Sequence, residues 1–248
     1  MTGSVAAPFG LDQASGLRRM FGASPQRWDL VLLPALRSAL PADALALRAR
    51  ALAEFAAGTL LVDAARANVA LALGMRLRYD LEHVLAGDCD TADACVAAGD
   101  ALWVLPAARA MDLAFVDERH ALRVAQAIDL LAADMRQITL VLPAARAGWI
   151  RNMAGPARFD QVLIPVSQGG EASTAVLTAV RQAMSEAQID TFHLLFLGMG
   201  DAAAGRLLSG MAAIAKRHFG ATLLAAPPLA GAGPAAARVH VARRSVEI

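Results

Sequence analysis

The residue type that phosphate-transfer chemistry would need most is lysine, and Lys216 is the only lysine in the chain. Enzymes that hydrolyse nucleoside triphosphates hold the β- and γ-phosphates with a lysine in a glycine-rich loop after the first strand. Lys216 instead lies in a pattern typical of a late helix, and the segment after the first predicted strand reads LLPALRSALPADALALR. That segment has no glycine, and Pro34 and Pro41 have no amide hydrogen to donate to a phosphate. Arg37 could supply charge there but not the loop geometry, so we expect a plain strand-to-helix connection.

Two glycine-containing turns are candidate anion or cofactor sites. Ser167–Glu171 reads SQGGE between a predicted strand and a predicted helix, so its amides could hold an anion. A single loop of this kind is more often a tight turn, which is our prediction. Gly198–Ala202 reads GMGDA, but no acidic residue follows at the spacing of a dinucleotide fingerprint. We therefore expect a turn with an N-cap there.

The titratable side chains form no motif for metal binding or hydrolysis. There is no HExxH or paired-ligand spacing and no G-x-S-x-G elbow, so we expect no metal site and no catalytic residue of these classes. Cys89 and Cys95 lack paired ligands, which indicates free thiols in a reducing cytoplasm. We expect the five histidines to be surface or partly buried side chains, not metal ligands: His83, His120, His193, His218 and His240.

Length and composition favour one α/β domain with a well-buried core. The chain has 248 residues, a net charge of +1 and 57% hydrophobic residues. A net charge this small argues against bulk binding of nucleic acid, which needs an excess of cations. The most apolar stretch, between Ala56 and Met75, contains Asp63 and Arg66, so it does not predict a membrane span. The N-terminus lacks the apolar core of a secretion signal.

Apolar runs of strand length alternate with helical patterns, which predicts a mainly parallel sheet with helices on both faces. The predicted strands are Asp29–Leu33, Thr59–Asp63, Ala101–Leu105, Ile138–Leu142, Gln161–Val166, Phe192–Leu197 and Ala221–Ala225. The predicted helices are Pro41–Ala57, Asp112–Asp134, Ser173–Ala187 and Asp201–Phe219. Ser173 and Asp201 are candidate N-caps, and Gly220 is a candidate helix stop. The apolar residues assigned to one buried face of the second helix are Leu113, Val116, Leu122, Ile128 and Leu131.

Two terminal segments stand outside this alternation. We predict a short N-terminal helix and linker over residues 1–26, followed by a single domain over residues 27–248. The tail carries Arg238, Arg243 and Arg244 but few large apolar residues. Such a tail does not favour stable insertion into a membrane, and a frayed terminus or an edge strand is expected instead.

Two blocks of sequence, in the same order, resemble FlhG (FleN) proteins, flagellar regulators of the MinD/ParA group of P-loop ATPases. In the first block, LDQASGLRRM, the residues that match the DQAxxLR motif are Asp12, Gln13, Ala14, Leu17 and Arg18. The second block resembles the MinD-like run from the second strand to a Y-L-x-x-V-L-x-G turn. Its matching residues are Asp63, Ala67, Asn68, Val69, Leu73, Gly74, Tyr79, Leu81, Val84, Leu85 and Gly87. Beyond roughly the first 110 residues only the rhythm of strands and helices matches.

The resemblance implies a protein partner for the first block. In FlhG relatives the N-terminal helix engages FlhF, an SRP-type GTPase, and stimulates its hydrolysis. By this resemblance Gln13 and Arg18 would reach the partner's active site, where such side chains can position water or stabilise phosphoryl charge. The alternative is that Leu11, Leu17 and Met20 only attach a terminal helix to the domain.

The resemblance also implies a nucleotide site of four pieces, and the chain departs from each. The glycine-rich loop is absent, and the aspartate pair of the second strand is reduced to Asp63, with Ala65 in the second position. The chain reads LVLPAA where a magnesium-side aspartate is expected, and FLGMG where a base-binding asparagine is expected. We therefore expect a pseudo-ATPase with Arg37 and Asp63 as vestiges of the site, and no bound ATP or magnesium.

The resemblance therefore implies a regulator of flagellar assembly, number or placement that acts by protein–protein contact, and the departures from the ATPase motifs indicate that it is not an enzyme. The expected partner is an FlhF-like SRP-type GTPase, with other flagellar proteins as further candidates. The expected location is the cytoplasm, with recruitment to the inner membrane or cell pole through a partner. Two alternatives stay open: a divergent ATPase that uses Arg37 and Asp63, and a MinD-like accessory protein for cellulose secretion or pilus placement.

Overall fold

The described part of the chain, residues 26–35, 40–56, 58–153 and 158–227 of a computed structural model, forms one eight-stranded sheet with helices on both faces. The order across the sheet is β3-β4-β2-β5-β1-β6-β7-β8, and only β3 runs antiparallel to its neighbour. The strands are β1 (Arg27–Leu33), β2 (Thr59–Asp63), β3 (Val96–Ala97), β4 (Leu102–Pro106), β5 (Gln137–Pro143), β6 (Gln161–Val166), β7 (Thr191–Phe196) and β8 (Thr222–Ala225).

The helices connect successive parallel strands. They are α1 (Leu40–Phe55), α2 (Val69–Ala72), α3 (Leu81–Ala86), α4 (Thr91–Ala94), α5 (Ala108–Ala114), α6 (Glu118–Leu131), α7 (Ala172–Ala187) and α8 (Asp201–Phe219). A 3₁₀ segment, Ala144–Met153, follows β5. No helix in the described ranges is both long and apolar enough to cross a membrane.

The central strands are buried on both faces. Leu30 and Leu32 of β1 join the larger core cluster, which also contains residues of α5, α6, α7 and α8. Val31, between them, joins a second cluster with Leu45 and Ala49 of α1. A strand covered on both sides has no polar face, which is why these segments read as continuous apolar runs. The predicted fold class, a mainly parallel sheet with helices on both faces, is confirmed.

All seven predicted strands are present, with each end within two residues of its predicted position. The short strand β3 was not predicted, because two residues carry no periodicity. The helices Pro41–Ala57, Ser173–Ala187 and Asp201–Phe219 correspond to α1, α7 and α8. Gly220 ends α8 with a φ of 77°, a left-handed conformation that glycine adopts without strain, so this helix stop is confirmed.

The prediction of one helix over Asp112–Asp134 was wrong. The structure has two helices there, because Asp117 adopts an extended conformation and its side chain caps α6 by accepting a hydrogen bond from the amide of Arg119. The predicted buried face was also wrong in part, since Leu113, Val116 and Leu122 are 45%, 80% and 46% exposed. The residues of α6 that the core buries are Ala121, Val124, Ala125 and Ile128.

Two predicted N-caps were displaced by a residue or more. Glu171 occupies the N-cap of α7, so Ser173 lies inside the helix. Gly200 occupies the N-cap of α8, and Asp201 is the first helical residue. An aspartate in the first turn still interacts favourably with the helix dipole. The sequence therefore indicated the start of α8 correctly but placed its N-cap one residue too late.

Candidate functional site

A cleft of about 1220 Å³ lies at the carboxyl edge of the sheet. There β1 lies between β5 and β6, two strands that both follow it in the chain. Crevices of this kind, at a reversal of strand order, are where open α/β sheets bind ligands. Its walls come from the ends of β1 and β5, the loop after β2, and the starts of α1 and α7. The lining includes Leu33, Pro34, Pro41, Asp43, Ala65, Arg66, Asn68, Leu71, Pro143, Ala145, Gly170, Glu171, Thr174 and Gln182.

The carboxylate of Asp63 is bonded to the loop that follows it. Asp63 ends β2 and is 7% exposed. Its Oδ1 accepts hydrogen bonds from the amides of Ala65 at 3.2 Å and Ala67 at 3.0 Å, and its Oδ2 accepts one from Val69 at 3.3 Å. Both oxygens are therefore used in shaping the loop, which enters the left-handed region at Arg66 and Asn68.

The cationic side chain on this loop is tied to α5. The Arg66 guanidinium lies 2.6 Å from Asp112 Oδ2, and Arg146 lies 2.9 Å from Asp112 Oδ1. Arg146 also donates to the carbonyl of Met111 at 3.2 Å and stacks over the ring of Phe115 at 4.5 Å. An exposed ion pair such as Arg66–Asp112 contributes little stability. The contact nevertheless fixes the direction in which the Arg66 side chain extends.

The turn Ser167–Glu171 lies at this cleft. Gly169 has a φ of 146°, which an L-residue rarely adopts, and Gly170 and Glu171 contribute to the wall. The structure thus shows a turn, as predicted, and it adds a carboxylate beside the cleft. The second turn, at Gly198, accepts a hydrogen bond from Gln168 Nε2 at 3.1 Å and leads into α8.

The described walls of the cleft carry more negative than positive charge. Asp43 and Glu171 are exposed carboxylates, and Arg66 is the cation, already paired with Asp112. Pro143, Ala144 and Ala145 stand at the end of β5, so that position offers no carboxylate for a metal. In the residues that the structure describes, no group of three or more His, Cys, Asp or Glu could hold a metal ion.

The resemblance-carrying block around Tyr79–Gly87 has a structural role that the sequence did not reveal. Asp80 is 7% exposed and caps α3 by accepting from the amide of Glu82 at 3.0 Å. The same carboxylate accepts from the amides of Arg109 at 3.1 Å and Ala110 at 3.2 Å at the start of α5. Asp80 therefore joins α3 and α5. The feature of the sequence that could have indicated this role is an aspartate directly before the segment Leu81–Ala86.

Two predicted features of other side chains can be compared with the structure. Cys89 and Cys95 are free, as predicted. Burial raises the pKa of the Cys95 thiol to about 11. His120 Nε2 lies 2.8 Å from Glu82 Oε2, which ties α6 to α3 and leaves the imidazole in a partly buried structural position.

Of the predicted site residues, only Asp63 lies in the described ranges. Arg37 of the vestigial nucleotide site lies outside them. So do the partner-binding residues Asp12, Gln13, Ala14, Leu17 and Arg18, and the basic residues of the tail. The prediction that residues 1–26 form a separate partner-binding segment therefore stays a prediction.

Comparisons with known proteins agree on the architecture. No protein-family model matches the chain, and neither does any curated protein. The chain superposes on the MinD cell division protein of Aquifex aeolicus with a TM-score of 0.56 at 19% identity, covering 82% of this chain and 83% of that one. The fold is that of the MinD/ParA ATPases.

Two other solved structures support this fold assignment. The McdA–ATP complex of Cyanothece gives a TM-score of 0.56 at 15% identity, covering 79% of this chain and 81% of that one. Cobyrinic acid a,c-diamide synthase from Mycobacterium smegmatis, with a bound ATP analogue and magnesium, gives 0.59 at 20% identity, covering 82% and 86%. At identities this low the superpositions show a shared MinD/ParA-like fold, and function has to be argued from the site itself.

Proposed function

We propose that this protein is a regulator of flagellar assembly, number or placement that acts by protein–protein contact on a MinD/ParA-like scaffold without ATPase activity. Its partner is an FlhF-like SRP-type GTPase. The contact residues, assigned through the DQAxxLR resemblance, are Asp12, Gln13, Ala14, Leu17 and Arg18.

The observation that carries the pseudo-ATPase proposal is the bonding of Asp63. Three backbone amides of its own loop donate to the Asp63 carboxylate, so most of the acceptor capacity that could orient magnesium-bound water is already used. The nearby Asp43 and Glu171 would also repel a polyphosphate. These features favour a site that has lost its nucleotide, and they give Asp63 a reason to persist as a loop-forming residue.

The geometry of the sheet is compatible with a partner contact remote from the cleft. The chain enters β1 at Arg27, at the amino edge of the sheet, and the cleft lies at the carboxyl edge. Seven residues of strand separate the two edges, a span of roughly 23 Å. The segment proposed to hold the partner therefore joins the domain at the edge of the sheet opposite the cleft.

A thermal-shift titration with ATP and magnesium tests the loss of nucleotide binding. Occupancy at 100 times the dissociation constant stabilises a folded protein by about 2.7 kcal/mol, which raises the melting temperature by several degrees. We expect no saturable rise up to millimolar ATP. A saturable rise that requires magnesium and disappears in Asp63→Ala would support the divergent ATPase instead, for which the favourable observation is the size and position of the cleft.

A GTPase-stimulation assay tests the partner contact. Gln13→Ala and Arg18→Ala should each reduce binding to the FlhF-like GTPase and stimulation of its turnover, because each removes a polar group of the matched motif. Arg19→Ala is the matched control, since Arg19 adjoins the motif but is not part of it. Equal stimulation by all three variants and the unmodified protein would refute the proposed contact.

A further inference from the structure

The side of the sheet that α1 covers has a second cluster over only part of its width. The buried residues of this cluster come from α1, from the α2 region and from strands β1, β2, β4, β5 and β6. In the described ranges none of them comes from β7 or β8. His193 of β7 is aligned with Leu163 of that cluster and with Leu224 of β8, so all three share this side of the sheet. Leu195, two residues after His193, faces the same way. We call His193, Leu195 and Leu224 the open face.

The two sides of β7 and β8 differ in burial. On the side opposite the open face, Leu194 and Leu223 are 1% and 6% exposed and belong to the core cluster that includes residues of α8. Leu224, the next residue of β8, is 44% exposed, and Leu195 is only partly buried. Parallel strands are normally covered by other elements on both faces. The leucines of the open face therefore lack the covering layer that their neighbours have.

The chain leaves the sheet beside the open face. β8 ends at Ala225, and Ala226 contacts the second cluster. The amide of Ala226 donates to the carbonyl of Leu194 at 2.9 Å, which holds this exit against β7. Residues 228–248 follow, outside the described ranges. A segment that starts here reaches the open face without crossing the rest of the molecule.

The sequence of this segment fits a helix as long as the open face. Pro234 suits the first position of a helix. Small apolar residues then recur at the spacing of one helical face, namely Ala235, Val239, Ala242 and Val246. Residues 235–248 would span roughly 20 Å as a helix, and the six residues of β7 span about the same distance. An edge strand beside β8, in contrast, would leave Leu195 and Leu224 uncovered.

Charge favours a segment that runs antiparallel to the strands. Asp160 and Asp190 are exposed carboxylates directly before β6 and β7, at the amino edge of the sheet. Arg243 and Arg244 lie late in the segment, so a helix that starts at the carboxyl edge brings them to these carboxylates. Exposed ion pairs add little stability, but they favour this direction over the reverse.

We propose that residues 235–248 fold back as a helix on the open face of the same molecule, with Val239 and Val246 packed against Leu195 and Leu224. The segment is then the second covering layer of β7 and β8, and not a free basic arm. This docking requires neither nucleotide binding nor contact with the GTPase partner.

Thiol labelling of the full chain tests the cover over Leu224. In a Cys89→Ser and Cys95→Ser background, Leu224→Cys is compared with Leu122→Cys, because the two leucines are 44% and 46% exposed. If residues 235–248 cover the open face, maleimide should modify the Leu224→Cys thiol at least about tenfold more slowly than the Leu122→Cys thiol. Equal rates would overturn the proposal.

Two substitutions of the same kind provide matched variants within the segment. Val239→Asp places a charge on the docked side of the helix, so it should raise the labelling rate of Leu224→Cys to that of Leu122→Cys. Val241→Asp lies on the opposite side of the same helix and should leave the labelling slow. Equal effects of the two substitutions would contradict a docked helix, since Val239 and Val241 share a face only in a strand.

Methyl NMR of the unmodified protein tests the same contact without a variant that has to fold. Nuclear Overhauser effects should connect the methyl groups of Val239 or Val246 with those of Leu195 or Leu224. In a mixture of differently labelled molecules, these effects should be absent between molecules. Intermolecular effects would assign the open face to a second copy of the chain and overturn the proposal, and a lack of any effect would refute it as well.

Discussion

At the scale of single residues, Asp63 has a position that the sequence predicts and a bonding pattern that it does not. Its position at the end of β2, directly before the loop that lines the cleft, was predictable from the strand pattern and from the resemblance. Its hydrogen bonds to the amides of Ala65, Ala67 and Val69 were not predictable, because they depend on the left-handed turn at Arg66 and Asn68. In the structure the carboxylate is thus bonded to the loop that follows it.

Asp63→Ala should destabilise the protein even if no nucleotide ever binds. The substitution removes the acceptor of three backbone amides, which typically costs about 1–3 kcal/mol when buried groups lose their partners. Urea unfolding monitored by circular dichroism measures the loss. Asp100→Ala, at an exposed aspartate, should change stability by less than about 0.5 kcal/mol. Equal stability of both variants would show that the loop does not depend on Asp63.

Cys95 should react slowly with alkylating reagents. Its pKa of about 11, raised by burial, leaves little thiolate near neutral pH. In a Cys89→Ser background, we expect modification of Cys95 at pH 7.5 to be on the order of a hundredfold slower than that of a free thiol, and to accelerate as the pH rises. Timed maleimide labelling with intact-mass detection measures this rate. A rate equal to that of glutathione would contradict the burial of the thiol.

At the scale of secondary-structure elements, apolar spacing located the helices better than it located their buried faces. The face of α6 that packs on the core includes Ala121 and Ala125, while the larger Leu122 is 46% exposed. In an alanine-rich chain, small residues allow a helix to approach the sheet closely, so side-chain size no longer marks the buried side. The break at Asp117 was missed for a related reason, since apolar residues continue on both sides of it.

Two N-cap aspartates allow a cap that bonds only to its own helix to be compared with one that also bonds to a second helix. Asp117 accepts from the amide of Arg119 alone, whereas Asp80 accepts from Glu82 on its own helix and from Arg109 and Ala110 on α5. Asp117→Ala should cost about 1 kcal/mol of unfolding free energy, the usual effect of an exposed cap. Asp80→Ala should cost more, about 2–3 kcal/mol, because buried amides of a second helix also lose their acceptor. Urea denaturation of both variants makes the comparison, and a smaller loss for Asp80→Ala would contradict the bridging role.

At the scale of the whole molecule, the alternation of strands and helices was sufficient to predict the sheet and its two covered faces. The spatial order of the strands was not contained in local patterns, because it depends on which strands β1 pairs with across the chain. That order places β5 and β6 beside β1 and so creates the cleft. The contact of Asp29 with Arg48 of α1 was missed because Asp29 appears as an isolated polar position near the start of an apolar strand.

The Asp29–Arg48 pair joins the two layers of the molecule, and its removal tests how the layers are held together. Arg48→Met should cost about 3–5 kcal/mol, because it leaves the buried carboxylate of Asp29 without its counter-charge. Burial already raises the pKa of Asp29 against the opposing effect of Arg48, and without Arg48 that pKa should rise further.

The raised pKa fixes how the deficit of Arg48→Met depends on pH. A carboxyl group whose pKa is higher in the folded state than in the unfolded state favours folding in acid, and this contribution is lost as the pH rises through the folded-state pKa. The deficit relative to the unmodified protein should therefore grow from pH 4.5 to pH 7.5 in urea unfolding. Adding Asp29→Asn should flatten this dependence and recover much of the lost stability, since no charge then remains buried. A deficit that does not change with pH, or a double variant less stable than Arg48→Met, would show that the pair does not hold α1 to the sheet through charge.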